Sequence, residues 1–401
     1  MTILIQIIKP LENFLFKSFF SNRTKITICV LVFNYAFGIA QILSPNTTGS
    51  FTYVPAAPLN TKPVEVFYHI PNGDMTTMPI LMSFHGADRN GSDYRNYWIA
   101  MADANGFMVF APQFSDTYYP TADNYQSGNV FVDGDNPSLT TYNPVDKWTF
   151  SIIDPLFEYI KAAVSGTQEG YNAWGHSGGA QFLHRFVEYL PNSKLDIAIC
   201  SNSGWYTVPE YAYNFPYGLN EGQLSNETLT TAFSKKLIVH LGLDDTDPNS
   251  AGLRHNTVVD NQQGLYRLVR GRYFFSTSQI TAQNMSVPFN WEKHEVSGIA
   301  HDAQAMANDA LQYILQSSLS TSAYSKQEQV QFYPNPTSNF IYFDNSRLQS
   351  KQGELFNITG GLVSVFNFDS YNSLQEINIS NQPAGIYFLK LGHMLIKLIK
   401  T

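Results

Sequence analysis

Cysteine is nearly absent: two in 401 residues, too few for a disulfide framework. One of them, Cys29, falls in a segment expected to be removed, which leaves Cys200 with no intramolecular partner. Charge is also scarce. Only 14% of residues are Asp, Glu, Lys or Arg, the formal net charge is -8, and no Lys/Arg cluster breaks the pattern. Nucleic acid is therefore excluded as the expected partner. Neither C-x-x-C nor H-E-x-x-H occurs, so no metal or other cofactor is expected. Hydrophobic residues, by contrast, make up 44% of the chain, with 24 Tyr and 29 Phe. That is enough for a large core and a second domain. A polar but weakly charged surface suits an exported protein.

The most specific local pattern is Gly175-His176-Ser177-Gly178-Gly179, between the strand-like run ending at Trp174 and a helical pattern over 179–190. This is G-x-S-x-G in its strand–turn–helix setting, where a serine on a sharp turn is held above a sheet by glycines that leave room for it. Ser177 is the expected nucleophile. Upstream, Pro79-Ile-Leu-Met-Ser-Phe84 reads as a buried strand that ends at His85-Gly86-Ala87. Acyl transfer builds negative charge on an oxygen, and backbone N–H groups must already face it. Gly178 and Ala87 are the expected donors.

Downstream, the strand-like 236–241 leads into Gly242-Leu243-Asp244-Asp245-Thr246-Asp247. The acid of a triad belongs on such a loop, and G-x-x-D spacing selects Asp245 over Asp244 and Asp247. His301 is the expected general base. It follows a strand-like segment over 289–296 and precedes a helical pattern over 303–315. Ser177, Asp245 and His301 thus occur in the order Ser, Asp, His.

From residue 64 to 315, strands at 64–70, 80–84 and 107–111 alternate with helical patterns at 94–105, 151–164, 179–190 and 271–284. Such alternation implies an α/β class with a mostly parallel, doubly wound sheet and its site at the strand carboxyl ends. Two loops, 115–147 and 203–218, are rich in Tyr, Trp and Phe, which either wall a cleft or form a small satellite core beneath each loop. Asp133-Gly134-Asp135-Asn136 is too short for a calcium loop and reads as a turn.

Taken together, residues 50–317 resemble α/β-hydrolases of the polyhydroxybutyrate-depolymerase-like, esterase kind. The likeness rests on the segments running 84–95, 106–114, 175–186, 204–207, 245–248 and 298–302. The C-terminal region differs in character. Residues 318–329 form a Ser-rich linker, and short alternating strands with turn signals then predict a small all-β sandwich over 330–401. Phe332-Tyr-Pro-Asn-Pro-Thr337 and Pro383-Ala-Gly-Ile-Tyr-Phe-Leu-Lys390 resemble the C-terminal sorting domain of type IX secretion substrates in Gram-negative bacteria. The resemblance implies that outer-membrane secretion machinery is a partner. At the other end, residues 1–40 read as an N-terminal extension and export signal: Arg23 and Lys25, an apolar stretch over 26–37, then Gly38-Ile-Ala40 before a mature catalytic domain over 41–317. The apolar stretch is short for a membrane span, so no transmembrane segment is expected in the mature chain.

The expected protein is a secreted serine hydrolase of carboxylic esters, short acyl or aryl and including polymeric ones. A serine peptidase on the same fold and a non-catalytic surface-binding protein on a hydrolase scaffold are the alternatives.

Overall fold

The computed structural model describes residues 43–321, 332–344, 351–358, 360–368, 374–391 and 394–401. The expected export signal and most of the expected linker lie outside them. Eight strands build one sheet: β1 (Thr47–Tyr53), β2 (Val64–Ile70), β3 (Ile80–Phe84), β4 (Met108–Gln113), β5 (Tyr171–His176), β6 (Leu195–Ser201), β7 (Lys236–Gly242) and β8 (Trp291–Val296). Their order is β1-β2-β4-β3-β5-β6-β7-β8. The pairs β1–β2 and β2–β4 are antiparallel, and every later pair is parallel. β3 and β5 are buried along their whole length, as expected where helices cover both faces of a sheet.

The covering helices are α1 (Gly91–Asn96), α2 (Ile99–Asn105), α3 (Ile153–Ala163), α4 (Gly178–Tyr189), α5 (Asn226–Ser234), α6 (Thr257–Gln263), α7 (Arg267–Met285) and α8 (Ala303–Thr321). One face of the sheet packs a large aromatic core that includes Phe84, Phe114, Tyr125, Phe150 and Phe182. The other carries Trp98, Trp174, Ile199, Ile238 and Met306 beneath α2 and α8.

The single helix expected over 94–105 is two helices. The break at Tyr97–Trp98 lets the Trp98 ring bury completely, edge-on to both Trp174 (5.4 Å) and Phe107 (6.1 Å). Burying one large aromatic outweighs the few hydrogen bonds a continuous helix would add. α8 continues to Thr321, past the point where the Ser-rich composition suggests a linker. Strand β1 and helices α5 and α6 have no counterpart in the sequence reading.

In the C-terminal region, β9 (Phe340–Asp344), β10 (Gln352–Asn357), β11 (Leu362–Asn367), β12 (Leu374–Asn378), β13 (Gly385–Leu391) and β14 (Met394–Lys400) form two antiparallel sheets. Their orders are β11-β10-β13-β14 and β12-β9. Ile341, Phe343, Leu355, Ile377, Leu389 and Leu398 fill the core they share. Five of these strands follow the alternation visible in the sequence. β10 is the exception, because Gln352-Gly-Glu354 opens it with polar residues.

The tightest packing holds the turn between β5 and α4. A methyl group on Gly179 would lie 2.1 Å from the Phe84 carbonyl oxygen and 2.8 Å from that of His85. Both are backbone atoms that cannot swing aside. Gly179→Ala is therefore expected to lower unfolding stability by about 2 kcal/mol or more, by the usual cost of overpacking. Urea denaturation midpoints would measure it, and an unchanged midpoint would contradict this account of the turn.

Candidate active site

Ser177 sits at φ 55° and ψ -115°, a conformation that L-residues avoid. Its N–H donates to the Ser201 carbonyl (3.0 Å), which ties the turn to the end of β6. Ser177 Oγ makes no hydrogen bond among the described residues and does not cap the helix that follows it.

The loops after β7 and β8 are stitched together. Asp244 N–H donates to Ile299 O (3.0 Å) and Leu243 N–H to Val296 O (2.9 Å). Asn202, beyond β6, bridges both: its Nδ2 donates to Ala300 O (2.9 Å) and its Oδ1 accepts from Gly242 N–H (2.7 Å). Between these loops, His301 Nδ1 lies 2.8 Å from Asp245 Oδ2. Asp245 is buried, whereas Asp244 and Asp247 are exposed. The other Asp245 oxygen faces Arg267 Nη1 at 3.5 Å, and that guanidinium is also buried. Arg267 starts α7 and gives no sign of this role in the sequence.

The loop after β3 is organised by His85. Phe114 N–H donates to its Nε2 (2.9 Å), so the ring proton is on Nδ1 and is donated to Gly86 O (2.9 Å). In a trans peptide the C=O and the next N–H point opposite ways, so anchoring Gly86 O aims Ala87 N–H away from it. A methyl group on Gly178 would lie 3.2 Å from Ala87 N and 3.4 Å from Gln126 Nε2. Three possible donors thus converge beside Ser177: the Ala87 and Gly178 amides and the Gln126 side chain. Gln126 lies in loop 115–147 and was not singled out by motif. His176, the variable residue of the elbow, packs its buried ring against His301, with centroids 4.5 Å apart and the planes tilted by 37°.

Residues 331–401 match the secretion system C-terminal sorting domain family. The rest of the chain resembles solved hydrolases. Poly(aspartic acid) hydrolase-1 from Sphingomonas sp. KT-1 aligns at 33% identity and a TM-score of 0.63, over 68% of this chain and 100% of that one. The chain belongs to the polyhydroxybutyrate-depolymerase-like α/β-hydrolases, extended by a secretion sorting domain. LpqC, a poly(3-hydroxybutyrate) depolymerase from Bordetella parapertussis, aligns at 28% identity and the same TM-score of 0.63, over 68% of this chain and 90% of that one. No curated protein matches the sequence.

In this hydrolase the aromatic loops follow the second of the two readings, a satellite core beneath each loop. Tyr119, Tyr125, Trp205, Tyr206, Phe215 and Tyr217 are all buried, while Tyr118 and Tyr211 stay exposed. The rings serve as cores beneath their loops, because a loop this long must bury apolar area to stay ordered. Asp133-Gly134-Asp135-Asn136 is a turn, with Asp133 Oδ1 accepting from the Asp135 and Asn136 amides at 3.2 Å. Among the described residues no helix is long and apolar enough to cross a membrane.

Burial pulls the His85 pKa down to about 3, so the ring is neutral at every ordinary pH. The unfolded chain protonates it near its ordinary value of about 6.5. Stability from a neutral buried histidine is complete above that value and is lost as pH falls toward the folded value. The destabilisation caused by His85→Gln should therefore be about 2 kcal/mol smaller at pH 5 than at pH 7. Urea unfolding of both proteins at the two pH values measures it. An equal difference at both would show that His85 is not held neutral.

Proposed function

We propose that this exported hydrolase cleaves carboxylic esters through a Ser177–His301–Asp245 triad. The observation that supports it most is the 2.8 Å contact of His301 Nδ1 with buried Asp245, on loops adjoining a serine with strained backbone. With its Nδ1–H committed to Asp245, the imidazole keeps a free lone pair on Nε2. That nitrogen takes the Ser177 proton as Oγ attacks the substrate carbonyl. The resulting oxyanion is met by the amides of Ala87 and Gly178 and by the Gln126 side chain. Collapse expels the alcohol, which takes the proton from His301 as it leaves. Water then attacks the acyl-enzyme by the same route in reverse and releases the acid. Arg267 faces the second oxygen of Asp245 and holds the carboxylate in place, while His176 packs against the His301 ring.

Ser177→Ala and His301→Ala are expected to lower kcat about 10⁴-fold or more with the fold intact. Asp245→Asn should cost far more than Asp244→Asn or Asp247→Asn. Gln126→Ala should lower kcat about 10²-fold, as loss of one oxyanion donor does, with KM little changed. Steady-state turnover of p-nitrophenyl acetate tests the set. Unimpaired turnover by folded Ser177→Ala would falsify the triad, and an unchanged kcat for Gln126→Ala would leave only two donors.

Export to the cell surface suits a substrate too large to enter the cell, and one relative is named for a polyester. A second reading follows from the other relative, which is named for a polyamide. Here Arg254 bears on it: the guanidinium lies over Trp205 (5.1 Å) and is ion-paired to Asp135 at 2.6 Å. An anionic chain would have to displace Asp135 to reach it. We expect neutral short acyl esters and polyhydroxybutyrate to be turned over faster than feruloyl or palmitoyl esters, an arylamide or polyaspartate. Preference for the palmitoyl ester would overturn the short-ester assignment. Preference for the arylamide or polyaspartate would move the protein to amide hydrolysis.

A further inference from the structure

On the face of the sheet opposite the large aromatic core, a second group of chemically capable side chains takes no part in the triad. β7 and β8 run parallel at the sheet edge, and His240 and His294 are partners in their register. Register partners project from the same face of a sheet. Their rings accordingly lie 5.4 Å apart and nearly parallel, at 17°. Asp309 reaches this pair from α8, and its Oδ1 lies 2.9 Å from the Nε2 atoms of both histidines. One carboxylate oxygen thus faces two imidazole nitrogens.

The two contacts differ. His240 Nε2 makes a hydrogen bond to Asp309. His294 Nε2 is a buried atom at the same separation, yet it lacks the alignment of a hydrogen bond and has no other partner. A buried ring nitrogen left in that state costs free energy that an electrophile between the three groups would recover.

We propose that His240, His294 and Asp309 bind one divalent cation of the zinc class. Their ligating atoms all lie within 4.8 Å of one another. Tetrahedral zinc, with bonds of about 2.0–2.1 Å, needs ligand atoms about 3.3 Å apart, so the Asp309 carboxylate would shift outward while the two imidazole nitrogens settle to the same spacing around the ion. Two imidazoles and a carboxylate favour zinc over calcium or magnesium, which take oxygen ligands. The Asp309 and His294 side chains are 25% and 33% exposed, leaving an entry path and a fourth position for water. Behind His240, Ser201 Oγ lies 2.8 Å from Nδ1 and accepts a hydrogen bond from Trp174 Nε1–H, also 2.8 Å long. A hydroxyl both donates and accepts, so it can receive Nδ1–H once Nε2 holds the metal.

The placement gives the ion a purpose. His240 precedes Asp245 by five residues on β7, and His294 and Asp309 flank the loop that carries His301. A bound cation would fasten β7, β8 and α8 below the two loops of the proposed acid and base. The inference stands on its own geometry, and its readouts do not require turnover.

The full chain, stripped with EDTA, would be titrated with ZnCl₂ by calorimetry and with CoCl₂ by visible absorption. The expected result is about one equivalent bound, tetrahedral cobalt bands, and a higher Tm in zinc, since a ligand that binds only the folded state stabilises it. His294→Ala and Asp309→Asn should each weaken binding at least about tenfold, a loss expected when a metal site is disrupted. His255→Ala, which breaks a surface His–carboxylate pair elsewhere, should leave it unchanged. Circular dichroism checks folding, and His294→Gln replaces the alanine variant should that one misfold. Absence of zinc binding, or binding untouched by His294 and Asp309 substitutions, would overturn the proposal and leave the three residues a hydrogen-bonded brace.

Discussion

Everything at the candidate site depends on how closely three backbones approach one another at the end of β5. The elbow is a place where no Cβ fits. A methyl group on Gly175 would lie 2.4 Å from Gly179 O, and one on Gly179 would lie 2.1 Å from Phe84 O. Strain at Ser177 is tolerable only because this crowding leaves the chain no relaxed alternative. The same crowding brings the loop after β3 against the start of α4, which is why Ala87 N, Gly178 and Gln126 meet at one spot. A similar contact holds the acid side, where a methyl group on Gly242 would lie 2.4 Å from Ile299 O. Close approach of backbone, rather than any one hydrogen bond, sets the distances between the three loops.

Histidine is used repeatedly as a two-ended connector. His85 accepts from Phe114 N–H and donates to Gly86 O, and His184 likewise accepts from Thr207 N–H (3.1 Å) and donates to Ala180 O (2.9 Å). A neutral imidazole is suited to this because it carries one donor and one acceptor at opposite corners. The arrangement works only while the ring stays uncharged. Burial ensures this, pushing the pKa of both rings down and that of His176 with them. These histidine connections are therefore polar without being charged, and the charge of the framework is left to its arginines and Asp245.

Apart from β1, the strands of the large sheet and the elbow were legible because each is a local pattern: an apolar run of strand length, or glycines at fixed spacing around a serine. Asp245 could be selected from three aspartates by spacing alone, and it is the buried one of the three. Arg267 and Gln126 could not be read, since each reaches the site only through tertiary packing and neither belongs to a motif. The pair His240 and His294 was visible only as two histidines in strands, and register plus a helix from further along were needed to bring Asp309 to them. The aromatic loops stayed between two readings, cleft wall and satellite core, for a physical reason. Composition reports that a loop is rich in Tyr and Trp, but it does not say which side of the loop faces the protein.

That inward orientation in turn explains the arginines. Once the rings turn inward, the loop backbone comes with them, and its carbonyls need donors that water no longer supplies. Arg89 donates to Phe114 O (2.8 Å) and Tyr119 O (3.1 Å), and its guanidinium lies 4.6 Å from the Tyr125 ring centre. Arg185 donates to Gln181 O (2.9 Å) and Gln126 O (3.3 Å) and packs 4.0 Å from the Trp205 ring centre. Arg270 donates to Gly204 O (2.8 Å) and Arg254 O (2.9 Å). Each guanidinium satisfies two backbone carbonyls at once, which a lysine's single ammonium does less well. Loops pinned this way do not need substrate to order them. The donors beside Ser177 are therefore fixed by the fold itself, which is what the proposed oxyanion role would require of them. Gln126 illustrates the coupling: its carbonyl is held by Arg185, so the backbone beneath its side-chain amide is fixed by a residue on the helix that follows Ser177.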